Sequence, residues 1–257
     1  MKMYKHLRTI GWNTAALILC GGLYAQTDFR RTVDFREETS PTITFQELQH
    51  VVPRRAREEM EKAYRAKLKH NPADEIDHLR KAVLIDPEYI AARNNLGVCL
   101  LAIEPASAIV QLEEGIRINP HKGALFNNLA VGYTLIHDLW AAELAARKSI
   151  ELDRTANSSR ALLGAILYDQ QRYSAETLAL LERGCKEYPV SHIYAASVLM
   201  KRQEFQKARV HIQAYLSSGE TEHRWNASEM LDIIDHADET RDSSPDHVQD
   251  THAGLTR

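Results

Sequence analysis

Histidine and cysteine are the side chains here best suited to metal or nucleophilic chemistry, and the chain carries twelve of one and three of the other. A helix-borne zinc site needs two histidines four residues apart and a further ligand, so that the imidazoles leave one face together. His70, His78, His121, His137, His192, His211 and His223 form no such set, and no HExxH occurs. A Gly-rich phosphate loop and a GxSxG nucleophile elbow are also missing. Cys185 has Lys186 beside it but no base near it in sequence to activate the thiol. The expectation is a non-catalytic chain with no metal site and no cofactor.

The polar residues that recur in register are asparagines. Asn94-Asn95-Leu96-Gly97 is echoed by Asn127-Asn128-Leu129-Ala130. A carboxamide offers two donors and an acceptor, so asparagines in successive copies of one element can hold the backbone of an extended peptide. The same side chains can instead satisfy neighbouring helix ends or face water. The sequence weighs the two roles about equally.

The elements that carry these asparagines repeat. Each Asn-Asn copy is followed by a second helical pattern and an Asx stop, Asn119-Pro120 and then Asp153-Arg154 without the proline, and the unit before the first copy ends likewise at Asp86-Pro87. The stops, with Pro189 after them, lie 33, 34 and 35 residues apart. Within each unit apolar residues recur at three- and four-residue spacing, twice, with a break between. In the first unit these are Ala56, Met60, Ala63 and Tyr64, then Ile76, Leu79, Ala82 and Val83 after Asn71-Pro72. Turns fall at Glu104-Pro105, His137-Asp138, Gln170 to Tyr173, and Gln203-Glu204 in the later units. Small residues recur where helix backbones must approach: Gly97, Ala130, Gly164 and Ala196 in one column, Ala108 and Ala142 in another.

These residues give residues 53–216 a resemblance to tetratricopeptide repeat proteins, in which antiparallel helix pairs bury their apolar faces on one another. The resemblance implies an all-α, right-handed superhelical array of about five pairs, with a capping helix over 217–237. Thr177 stands where the family pattern has alanine, and Arg154 replaces a proline. The resemblance further implies a groove lined by the first helix of each pair. Its candidate residues are Asn94, Asn95, Val98 and Ala102; Asn127, Asn128, Val131 and Leu135; and Ala161, Leu162, Ala165, Tyr168 and Asp169. Some members clamp a C-terminal carboxylate with cations beside such asparagines, but Ser158 and Leu162 occupy those places here. The expected partner is a protein or peptide, held by a scaffold or adaptor. The alternatives are a structural subunit of a cell-envelope assembly or an accessory subunit of an enzyme.

Composition agrees with a scaffold. A net charge of −3 gives no basic excess for nucleic acid, and 26% charged residues describe an ordinary water-facing chain. The N-terminus is set apart: Lys2, Lys5, His6 and Arg8 precede a short apolar run from Thr14 to Leu23, then Ala25. That layout predicts a secretory signal peptide over 1–25 and an exported protein, periplasmic, envelope-bound or secreted. The run is shorter than the roughly 20 residues of a spanning helix, so a membrane tie arises only if this segment stays uncleaved. Residues 26–52 read as a polar segment with a hydrophobic N-terminal cap made by Leu48, Val51 and Val52. Residues 238–257 are almost free of apolar side chains and are expected to be disordered. Cys99 and Cys185 fall in different repeats and are expected to be free thiols.

Overall fold

The computed structural model describes residues 50–242. The signal peptide expected over 1–25, the segment up to residue 49 and the tail beyond 242 lie outside those residues. Among the described residues every regular element is an α-helix. The chain divides between Arg172 and Tyr173 into two compact units, and this boundary falls inside the fourth helix pair of the sequence reading.

The first unit holds α1 (Arg54–Leu68), α2 (Pro72–Ile85), α3 (Ile90–Leu100), α4 (Pro105–Ile118), α5 (Gly123–Leu135), α6 (Leu139–Leu152) and α7 (Asn157–Asp169). Consecutive helices pack on each other, and the first helices α3, α5 and α7 also touch in series. The helix starts are written into the sequence. The Asn71 side chain accepts from the Asp74 amide and Pro72 takes the first helical position, where a missing N–H costs nothing. Pro105 plays that part for α4, and the Asp138 carboxylate caps α6 through the Ala141 amide.

The Asx stops work by one device. Asp86, Asn119 and Asp153 all adopt extended backbone after the last helical turn. Each Oδ1 accepts from the amide two residues on: Glu88 at 3.1 Å, His121 at 2.9 Å and Thr155 at 2.8 Å. This side-chain turn ends the helix without help from proline, so Arg154 is tolerated where its counterparts are Pro87 and Pro120. An arginine one turn into the next helix braces the same corner. Arg93 Nε donates to Pro87 O at 2.6 Å, and the Arg160 guanidinium donates to Arg154 O.

Inside the pairs the chain reverses through a left-handed residue. His70, His137, Gln171 and Gln203 have φ of 54°, 62°, 61° and 62°. The amide after each returns to a carbonyl five residues back, as Asn71 to Ala66 and Asp138 to Tyr133. That bond satisfies a helix-end carbonyl and offsets the strain of a non-glycine residue there.

The core of the first unit follows the small-residue columns. Ala108, Ala130 and Ala142 are fully buried. A Cβ on Gly97 would lie 2.8 Å from Leu112 Cγ, and one on Gly132 would lie 2.9 Å from Ile109 Cγ1. Tyr64, grouped by spacing with the α1 core, is exposed, while Ala56 and Ala63 are buried. Of the three residues expected to form the N-terminal cap, Val51 is 82% exposed, Val52 is half-buried and Leu48 lies outside the described residues. The His50 ring lies 2.9 Å from Asp86 and 3.4 Å from Glu88.

The second unit holds α8 (Ala175–Gly184), α9 (Val190–Lys201), α10 (Phe205–Ser217) and α11 (Arg224–Asp242). Its core joins Ile193, Ala196, Leu199, Ala208, Ile212 and Tyr215 to Ala227 and Ile234 of the last helix. Thr177 is fully buried in the alanine position, its amide accepted by Ser174 Oγ at 3.2 Å. The last helix starts seven residues later than expected and runs past residue 237 to Asp242. Trp225, placed by spacing on its apolar face, is 74% exposed. Among the described residues no helix is long and apolar enough to cross a membrane.

Candidate functional site

Four asparagines that look alike in sequence have two different environments. Asn128, on α5, is fully buried. Its Nδ2 donates to Asn94 Oδ1 on α3 at 2.9 Å, while its own Oδ1 has no partner among the described residues. Asn127 is also buried. Its Oδ1 accepts from Ser159 Oγ of α7 at 2.9 Å, and Ser159 lies 2.8 Å from Ser149 Oγ of α6, which donates to Gly123 O. Buried polar groups must be paired to avoid a desolvation cost, and this network pairs them across three helices. Asn127 and Asn128 therefore set the register of α3, α5, α6 and α7.

Asn94 and Asn95 lie at the half-exposed edge of the same face. Asn94 is oriented by the Asn128 amide, and its Nδ2 hydrogens have no protein acceptor among the described residues. Asn95 makes one weak contact, Nδ2 to Met60 Sδ at 4.0 Å, which leaves Oδ1 available as an acceptor. One turn before Asn95, Ala91 is exposed. Together these positions offer donors and an acceptor at the edge of packed first helices, matched to a backbone carbonyl and amide of another chain.

The apolar candidates are packing residues. Val98, Val131 and Leu162 are buried at 1%, 7% and 7% exposure, as are Ala161 and Ala165, whereas Ala102, Leu135, Tyr168 and Asp169 are half-exposed. Asp169, at the end of α7, is driven by burial to a pKa of about 7. Tyr133 donates to Glu113 at 2.6 Å, and burial and that carboxylate push its phenol up to about 12. Arg93 and Arg160 are committed to carbonyls of their own corners, so they offer no carboxylate clamp.

A second group of chemistry-bearing side chains was not visible in sequence. Cys185, His192 and His211 lie on three elements of the second unit, with one ligand atom of each within 4.8 Å of the others. Local motif spacing could not reveal them, because the packing of α8, α9 and α10 brings them together. The expectation of no metal-ligating cluster took only i, i+4 pairs into account.

No protein-family model matches the sequence, and no curated protein matches it. Solved structures match in fold. PilF of Pseudomonas aeruginosa aligns with a TM-score of 0.62 at 18% identity, over 73% of this chain and 86% of that one. TTC0263, a thermophilic TPR protein of Thermus thermophilus, gives 0.56 at 10% identity, over 68% and 98%. YrrB, a TPR protein with an unusual peptide-binding site, gives 0.52 at 14% identity, over 70% and 90%. At such identities the likeness carries the fold: stacked helix pairs of the tetratricopeptide type.

Proposed function

We propose that this protein is a non-catalytic interaction scaffold that holds an extended polypeptide against the first helices of its N-terminal unit. The observation that carries this reading is the division among the asparagines. Asn127 and Asn128 are spent on fixing the helices, whereas Asn94 and Asn95 keep unpaired donors and an acceptor at a half-exposed edge. A rigid helix face with pre-oriented amides binds backbone at little entropic cost. YrrB, of the same fold, is a TPR protein with a peptide-binding site. Stacked helix pairs present an extended surface, which favours a protein partner over a small molecule.

A photo-crosslinking residue at Ala91, expressed in the native host, tests the reading. The expected result is a discrete polypeptide adduct that a crosslinker at exposed Leu144 of α6 does not form. Equal capture from both positions would place binding elsewhere.

We further propose that the scaffold works outside the cytoplasm. The support is the basic head and short apolar run of residues 2–25. N-terminal sequencing of protein from the native host should read from Gln26, and intact Met1 in a cytoplasmic fraction would contradict export.

A further inference from the structure

We propose that Cys185, His192 and His211 form a three-ligand site for a borderline-soft transition-metal ion of the zinc(II) class, with water as fourth ligand. The three residues come from rigid, separately packed elements. Cys185 ends α8, His192 sits in the first turn of α9, and His211 lies mid-way along α10. All are half-buried, which limits competing water without closing the site.

The two imidazoles already face each other through like atoms. Nδ1 of His192 lies 2.9 Å from Nδ1 of His211, with ring centroids 5.2 Å apart. Such a pair is held by one shared proton, one ring donating and the other accepting. A metal ion takes the place of that proton. Bonds of about 2.0 Å to nitrogen and 2.3 Å to sulfur put tetrahedral ligand atoms roughly 3.3–3.6 Å apart, so the two Nδ1 atoms open from 2.9 Å while the widest ligand pair closes from within 4.8 Å.

Nε2 of His211 lies 3.8 Å from Glu182 Oε1, beyond hydrogen-bond distance, where the negative charge favours a proton on that nitrogen and leaves Nδ1 for the ion. Burial keeps both histidines below their ordinary values, His192 also through His211, so their lone pairs are available at neutral pH. The Cys185 thiol is different: burial and Glu182 push it up to about 12. Its Sγ donates to Leu181 O at 3.3 Å while protonated. Binding therefore forms one metal–sulfur and two metal–nitrogen bonds; the thiol proton leaves to solvent, and the proton shared between the two Nδ1 atoms moves by way of solvent to Nε2 of the ring that donated it, with the positive ion stabilising the thiolate. Mixed thiolate and imidazole donors in a four-coordinate arrangement favour zinc over hard cations.

The test uses the full chain, stripped of metal. Zinc(II) is titrated in competition with a chromogenic indicator, and cobalt(II) serves as optical stand-in. The expected results are one zinc per chain, a rise in thermal midpoint on zinc addition, and a thiolate-to-cobalt charge-transfer band. Cys185→Ser should abolish the band, and His192→Gln and His211→Gln should each weaken zinc binding by about tenfold or more. Cys99→Ser and His78→Gln should change neither. Circular dichroism of the metal-free variants identifies any that fail to fold, and the two glutamine variants keep the test open if the serine variant does. Absence of the band in wild type, its persistence in Cys185→Ser, or equal zinc affinity in wild type and all three variants overturns the proposal.

Discussion

At the residue scale, identical sequence signals had different physical fates. Asn95 and Asn128 stand in the same phase of successive repeats, yet one is half-exposed and the other fully buried. The type and spacing were legible; the burial was not, because it depends on how closely α3, α5 and α7 pack. Left-handed turn residues offer a cleaner test. His137 is exposed with φ of 62°, a conformation that favours glycine. His137→Gly should raise stability by about 0.5–1 kcal/mol in urea unfolding. Asp169 gives a pH prediction. Its folded pKa of about 7 lies above an unfolded value of about 3.9, so the folded state holds the extra proton. Stability from this group is present below pH 4, falls as pH rises toward 7 and is then flat. Asp169→Asn should match wild type near pH 4 and melt higher at pH 8.

At the scale of elements, the sequence was most informative where a single backbone rule operates. The helix starts at Pro72 and Pro105 and the stops at Asp86, Asn119 and Asp153 are local devices, and the repeat spacing exposed them all. The stop without proline was read as a departure; the shared Asx turn shows why it costs nothing. Less legible were contacts between elements, such as the ion pairs of Glu143 with Arg147 at 2.9 Å and Arg172 at 2.8 Å. The same holds for exposed Tyr64 and Trp225, whose spacing placed them on apolar faces that neighbours do not cover. The phase of the repeats is tested at Gly97. A Cβ there meets Leu112 on α4 at 2.8 Å, so Gly97→Leu should destabilise by about 1–3 kcal/mol or more in thermal unfolding. A neutral result would contradict the close approach of α3 to α4.

At the scale of the molecule, the described residues form two compact units of packed helices, and the two sites proposed lie one in each. The asparagine edge belongs to the N-terminal unit and the Cys-His-His cluster to the C-terminal one, so either can be disabled without touching the other. The fold class was readable because a repeat writes the same instruction several times. The metal-ligating cluster was not, because its three residues occur once each and meet only after three helices pack. The most direct measurement of the central claim uses the polypeptide captured through Ala91. Its dissociation constant and the thermal midpoint are measured for wild type, Asn95→Ala and Asn128→Ala. One backbone hydrogen bond contributes about 0.5–1.5 kcal/mol, so Asn95→Ala should weaken binding about twofold to tenfold at an unchanged midpoint. Asn128→Ala should lower the midpoint. If Asn95→Ala binds as tightly as wild type, the first-helix edge is not where the partner lies.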